Sequence, residues 1–523
     1  MSTRSVLRSF GIISFFTLLS RCLGLIRDIA SASLFGTTFV WDAFLISFMI
    51  PNLFRGLLGE GALSSSFIPI FADTLKREGR DGAWQLTNRV LTILFLVTAV
   101  IVLAAVGVLL LVEDAVGANP KLALTLSLTR LLLPYLILVN LTALAIAASQ
   151  SLGGFGIPAA SPILLNFVWM ASLYLICPFM GPGLGDKIYG LAYGLLAAGV
   201  AQLAMQCFSL RKKGWRYRPA VDHPGVRKIL ALMGPAAAGV MLHRLNVTID
   251  LALGYTLGEG AVSSLWYGGR LMQFPLGLFA IAMGTVVLPT FSGQTAAAEM
   301  DKLKETLSFS LRTIFIIMIP ASVGLIVLAH PIVQLLFERN AFDSVSTARA
   351  ASTLMFYCLG LVAYSGGKIL APCFYALKDT RTPVRIVIAA VIVNLILNLI
   401  LMQFLREAGL ALATSISGFM EYSLLFLFLR RKIGNLGGRK VLLTAVKALF
   451  ASSIMGAVAL VLHAWVIQTA PLTGLALKAA AVLGPIAAGV LAYVGVCLLL
   501  RMSEMEVVLK QTLAKVKGRS RCA

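Results

Sequence analysis

Four uninterrupted apolar runs, at 90–112, 307–328, 384–402 and 479–500, constrain this chain more than any other feature. Each is long enough to cross the hydrocarbon of a bilayer as a helix. No water is present there to satisfy a backbone N–H or C=O, so a crossing segment must be a helix or part of a closed barrel. Barrel strands are short and alternate in polarity, whereas these runs are continuous, which favours a helical bundle. Of 523 residues, 59% are hydrophobic and 13% charged, against about 25% charged in a soluble domain. A water-soluble fold is therefore excluded.

Apolar runs set against polar breaks predict roughly fourteen spans, at 8–33, 38–62, 87–112, 122–150, 157–180, 186–210, 226–258, 263–290, 305–329, 350–377, 383–403, 408–431, 440–467 and 474–501. Basic residues test that division, because cytoplasmic loops hold the excess of Lys and Arg. With the N-terminus inside, the cytoplasmic segments receive Lys76, Arg77 and Arg80, then Arg211 to Arg218, Lys378 to Arg385, Arg430 to Lys440 and the tail from Lys510. The opposite loops hold little beyond Lys121, Lys187, Arg339, Arg349 and Arg406. Both termini are thus expected in the cytoplasm, in a cytoplasmic (inner) membrane. The net charge of +22 is an orientation signal, and no polar stretch is long enough to build a basic face for nucleic acid. The seven cysteines form no CxxC pair and sit mostly in apolar runs, so they read as packing residues. Arg4 and Arg8 before an apolar stretch imitate a signal peptide, but Arg21, Arg27 and Asp28 interrupt the approach to the small-residue site at Ala30 to Ala32, and cleavage is not expected.

A weak repeat is visible. Phe67-Ile-Pro-Ile-Phe71 returns as Val287-Leu-Pro-Thr-Phe291, Ile157-Pro158 as Thr382-Pro383, and Gly190-Leu-Ala-Tyr193 as Gly409-Leu-Ala-Leu412, at separations of 220, 225 and 219 residues. A near-constant period predicts an all-α membrane protein of two parallel six-span halves about a central cavity, plus two C-terminal spans. The expected division is 1–225 for the N-terminal lobe, 226–435 for the C-terminal lobe, 436–505 for the last two spans and 506–523 for a basic cytoplasmic tail.

An ionisable side chain inside a span costs about 2.5 to 3.5 kcal/mol on insertion scales, so it should face a cavity or a partner. Such residues concentrate in corresponding places: Arg21, Arg27, Asp28, Asp42, Arg55 and Glu60 early, and His243, Arg244, Asp250, Glu259 and Arg270 at the start of the second half. One reading leaves Arg27 and Asp28 at the membrane interface and Arg55 snorkelling or paired with Glu60. The other gathers the arginines around an anion. The guanidinium fork binds phosphate bidentately and keeps its charge when desolvated.

Ser20-Arg21-x-Leu23-Gly24-x-x-Arg27-Asp28, Asp42-Ala43-Phe44, Pro51-Asn52-Leu53-x-Arg55, Glu60-Gly61-Ala62-x-Ser64 and Phe67-x-Pro69 resemble the N-terminal signature of the MurJ (MviN) lipid II flippases. That family lies within the multidrug, oligosaccharidyl-lipid and polysaccharide exporter superfamily. Arg270-Leu271-Met272-x-Phe274-Pro275 and Leu370-Ala371-Pro372-x-Phe374-Tyr375 extend the resemblance through both halves. It implies a fourteen-span flippase with a cationic cavity, and a groove for the polyprenyl tail in the last two spans. By the same resemblance Arg21, Arg27, Arg55 and Arg270 match essential arginines, and Asp28, Asp42 and Glu60 match acidic positions of the substrate site. Met49 and Gln273 depart from the basic and acidic residues some members carry there, so ion-pair schemes through them do not transfer.

The implied partners are lipid II and membrane lipids, with cell-wall (peptidoglycan) synthesis machinery as a further expectation and a monomer as the expected state. No cofactor is expected beyond a coupling cation. Asp250, Asn394, Asn398 and Thr414 offer hard oxygen ligands at membrane depth that suit sodium, although Asn and Thr also serve as ordinary interhelical hydrogen-bonding residues. Exporters of cationic drugs want acidic cavities, which the arginines argue against. An exporter of another polyprenyl-linked glycan stays open. An enzyme acting on lipid-linked sugars lacks support, since His223, His243, His330 and His463 are scattered without ligand spacing.

Overall fold

A computed structural model describes residues 3–56, 63–113, 119–219, 224–469 and 474–506. Glu60 and the tail beyond residue 506 lie outside the described residues. Among the described residues the chain is built of α-helices joined by turns and loops, with a short 3-10 helix at Cys177–Phe179, a π-helical turn at Leu276–Ala280 and one isolated bridge between Arg339 and Phe342.

By its contacts the chain forms two compact units, 1–263 with Arg339–Phe342, and 264–338 with 343–523. The first unit holds α1 (Thr3–Phe35), α2 (Phe39–Phe54), α3 (Leu63–Glu113), α4 (Pro120–Ser151), α5 (Gly156–Leu175), α6 (Leu184–Lys212) and α7 (Gly225–Thr256). Within it α4 is central and packs on α2, α3 and α6, while α1 lies on α5 and α7 on α2 and α3. The boundary falls just inside α8 (Ala261–Pro275). The second unit continues through α9 (Ile281–Ala296), α10 (Met300–Val327), α11 (Ala329–Phe337), α12 (Ser344–Leu359), α13 (Leu361–Ala376), α14 (Arg381–Ile433), α15 (Gly438–Thr469) and α16 (Leu475–Leu499). There α10 is central, touching α12, α13 and α15, and α15 carries α16.

Among the described residues nine helices are long and apolar enough to cross a membrane, or ten if α12 and α13, bent by 43° at Gly360, form one span. Fourteen remains the count expected from sequence. Two of the nine are far longer than one crossing. α14, at 53 residues, would reach about 80 Å if straight, and it is broken at Arg406 (φ 51°, ψ −131°). α3 is broken at Gly79 (φ 74°, ψ −164°), a conformation glycine adopts without a Cβ clash. Both breaks fall in polar connections that the sequence places between spans. The connection before the break in α3 is itself helical, because Leu63, Phe67 and Phe71 recur four apart and bury against Trp84 and Leu86. Beyond the break, Val100, Leu103 and Leu111 are more than half exposed, the polarity of a surface that faces lipid. Cys177, Cys358, Cys373 and Cys497 are buried thiols, in keeping with a packing role.

Turn chemistry seats the helices. Asn119 accepts from the N–H of Lys121 and Leu122 ahead of Pro120, and Asp343 accepts from Ser346 N–H at 2.8 Å. At the turn into α14, Asp379 accepts from Lys432 Nζ at 2.6 Å and from the N–H and hydroxyl of Thr382 at 3.0 and 2.9 Å. The Lys432 ammonium, followed by the Thr382 N–H, holds this carboxyl down from 3.8 to about 2. A carboxyl whose pKa is depressed on folding contributes stability that is present above its unfolded value and fades as pH falls toward its folded one. Asp379→Ala is therefore expected to cost about 1 kcal/mol at neutral pH, with the gap from the parent protein closing between about pH 4 and about pH 2. Thermal unfolding of purified protein across that range checks it, and a pH-independent gap would refute it.

Candidate functional site

The expected site residues fall into separate local groups. On α1, Arg27 is 6% exposed and Asp28 3%, so both charges are enclosed by protein. Its Nε and Nη2 donate to Asp28 Oδ1 at 3.1 and 2.6 Å, and its Nη1 donates to Asn166 Oδ1 of α5 at 3.1 Å. The guanidinium carbon lies 4.5 Å from the centroid of the Trp169 ring, close enough for a cation–π contact. Arg21, almost two turns earlier, is partly exposed on the same helix.

Arg55 stands at the end of α2, where its Nε donates to Asn52 Oδ1 at 3.3 Å, so the Pro51-Asn52-Leu53-x-Arg55 motif holds its own arginine. The next residue, Gly56, has the Arg244 guanidinium of α7 against it: a Cβ there would meet its carbon at 2.8 Å. Arg244, assigned by sequence to the second half, thus comes against the backbone next to Arg55 at the tip of α2. The absent side chain at Gly56 is the sequence signal that could have announced the close approach.

Asp42 is wholly buried. Its Oδ2 accepts from Gly260 N–H at 2.7 Å, and its Oδ1 accepts from Ser263 N–H at 2.8 Å and Ser263 Oγ at 2.5 Å. The Lys121 ammonium stands 3.5 Å away and donates to the carbonyls of Gly258 and Tyr255. In return Glu259 accepts from the N–H of Phe39, the first residue of α2. A carboxylate in α2 thereby caps the start of α8, and one just before α8 caps the start of α2. Partial positive charge at both helix N-termini favours this. The two helices begin 222 residues apart, the spacing of the sequence repeat. Asp42 accordingly has a structural partner in each oxygen.

In the second unit, Arg270 of α8 lies over Trp266, one turn before it, at 4.4 Å. The break at Arg406 folds α14 back, so that Asn394 Nδ2 donates to Thr414 Oγ1 at 3.2 Å and Asn398 Nδ2 to Asn394 Oδ1 at 3.1 Å. Three of the four expected cation ligands are thus assembled in one unit. Asp250, 2% exposed, belongs to α7 of the first. The three supply amide and hydroxyl oxygens, a donor set that fits a hard monovalent cation; their mutual hydrogen bonds are also what interhelical Asn and Thr make with no ion.

Sequence reasoning passed over Asn166 and Trp169, which hold Arg27, and Lys121, placed there merely as a loop residue. It also passed over Lys368 of α13 and Glu421 of α14, which lie within electrostatic reach of each other. Charges inside otherwise apolar runs were the available signal for the last two.

Comparison with known proteins agrees with the fold and with the motifs. A family model described as "Lipid II flippase MurJ" matches residues 31–478. The lipid II flippase of Burkholderia cenocepacia is 34% identical over 439 residues, covering 82% of this chain and 84% of that one. A probable lipid II flippase of Vibrio cholerae is 33% identical over 516 residues, covering 95% and 97%. In structure, a lipid II flippase in an inward closed conformation superposes with TM-score 0.76 at 24% identity, over 94% of this chain and 98% of that one. An inward-facing multidrug resistance MATE family transporter of the MOP superfamily gives 0.66 at 16%, over 80% of this chain and 96% of that one. At those identities the structural likenesses speak for the fold.

The Asp42 arrangement makes a direct demand. Asp42→Ala strands two N–H groups and a hydroxyl, and each buried unsatisfied donor costs about 1 to 3 kcal/mol, so a loss of about 3 kcal/mol is expected. Chemical unfolding of the purified protein measures it, and an unchanged midpoint would show that the carboxylate is not the cap.

Proposed function

The chain belongs to the lipid II flippase MurJ family, and from that premise we propose how its own residues move the substrate. It is a lipid II flippase, a multi-pass membrane transporter and no enzyme, and it serves peptidoglycan synthesis by carrying the lipid-linked precursor across the bilayer. Arg21, Arg27, Arg55 and Arg270 grip the pyrophosphate, while Asp28 holds Arg27 and Asp42 holds the start of α8; Glu60 joins them as the remaining acidic position of the signature.

The observation that carries this reading is Arg27, a charged side chain kept 94% out of solvent contact in an apolar helix pair and oriented by an amide, a carboxylate and an indole. Burying a guanidinium that way is costly, and an anion-handling role explains why it is retained. Arginine suits the task because it stays protonated in such a setting. Only the headgroup needs shelter; the polyprenyl tail stays in lipid, against the last two spans. An inside-negative potential favours outward movement of an anion by about 2.3 kcal/mol per charge per 100 mV. The excess of Lys and Arg in alternate loops supports an orientation with both termini in the cytoplasm of the host.

Asp250, Asn394, Asn398 and Thr414 are proposed as the coupling-cation site, with sodium as the ion. What favours it is the oxygen cluster that the Arg406 break brings together.

Alanine in place of Arg21, Arg27 or Arg270 is expected to abolish flipping while leaving membrane accumulation intact, read as lipid II trapped in the cytoplasmic leaflet after depletion of the parent protein. Normal flipping by all three would overturn the assignment. For the cation, flipping in proteoliposomes is expected to fall at least tenfold without sodium and to lose that dependence in Asp250→Asn; equal rates in sodium and choline would remove the site.

A further inference from the structure

We propose that Asn166 and Trp169 of α5 are positioning residues for transport, fixing the plane of the Arg27 guanidinium so that it meets the diphosphate without being further neutralised. The inference rests on the reading of Arg27 as a diphosphate contact. Asn166 and Trp169 are three apart and share a face of α5, which packs on α1. The Asn166 amide engages α1 at two levels. Its Oδ1 accepts from Arg27 Nη1 at 3.1 Å, and its Nδ2 donates to the carbonyl of Ser20 at 3.1 Å.

Trp169 grips the other side of the same residue. Its ring lies under the guanidinium at 4.5 Å, while its Nε1 donates at 3.0 Å to Ser31 Oγ, whose hydroxyl donates at 3.0 Å to the Arg27 carbonyl. The indole is 1% exposed and stands edge-on to Phe44 and Phe48, with centroids 5.5 and 5.7 Å away, so it is wedged in place.

The chemistry of the two partners matters as much as their position. Arg27 already has one carboxylate on it, Asp28. A second would leave the group net negative and repel an anion. An amide oxygen and an aromatic face orient a guanidinium while adding no net charge. Three of the five guanidinium N–H groups point to Asp28 and Asn166, and the remaining two lie in a plane these contacts fix.

Binding of lipid II to the full-length protein in nanodiscs tests this, for Arg27→Ala, Asn166→Asp, Trp169→Leu, Trp169→Phe and the first two α5 changes combined with Arg27→Ala. Asn166→Asp and Trp169→Leu are each expected to weaken binding about tenfold, whereas Trp169→Phe, which keeps a ring face, retains most of the affinity. Neither α5 change should weaken binding further once Arg27 is alanine. Should Asn166→Asp fail to accumulate, Asn166→Leu takes its place, with a loss of about threefold expected. Wild-type affinity in the α5 variants, or equal losses with and without Arg27, overturns the positioning role and leaves the Arg27 reading standing. Wild-type affinity in Arg27→Ala overturns that reading and this inference with it.

Discussion

Inside a bilayer nothing but the protein can satisfy a polar atom, and each structural feature described above follows from that demand. Helices arise because their backbone bonds close internally. The charges that remain within them are held by neighbours: Arg27 by Asp28 and Asn166, Asp42 by the N-terminal amides of α8, and Arg55 by Asn52. The same rule applies where helices turn. Broken segments at Gly79 and Arg406 lie in polar connections, and helix starts and turns are closed by Asn119, Asp343 and Asp379.

Function uses the exceptions that this demand permits. A buried arginine without a task would be a liability in hydrocarbon; fixing by a carboxylate, an amide and an indole is what the proposed anion contact at Arg27 requires. The Asp42 and Glu259 caps show a second use of buried charge. Each joins the start of α2 to that of α8, so their acidic groups serve helix ends before any ligand. An acidic residue in a family motif therefore need not touch substrate to be required. Its removal can act through the helix it seats.

Kinked helices supply the remaining device. Arg406 adopts a backbone conformation rare for a residue with a side chain, and the reversal it creates carries Asn394 to Thr414, twenty positions away. Pro275 and the π-helical turn 276–280 interrupt the path from α8 to α9 in a related way. Such breaks cost local hydrogen bonds, and what they return is the convergence of side chains that a straight helix would hold far apart.

The sequence by itself determined the medium, the helical class, most helix positions and the family, because hydrophobic run length and loop charge are local properties set by the bilayer. It also marked the arginines, since a charge within an apolar run is conspicuous wherever it lies. It did not reveal that 63–78 would be helical, that Gly56 makes room for Arg244, or that Asn166 and Trp169 carry Arg27. Nor did it show that Asp42 would be committed to the amides of Gly260 and Ser263, more than two hundred residues on. Those relations were decided by tertiary packing alone, because which side chains satisfy a buried charge depends on which helix faces meet, and no local pattern of polarity encodes a neighbour so distant in the chain.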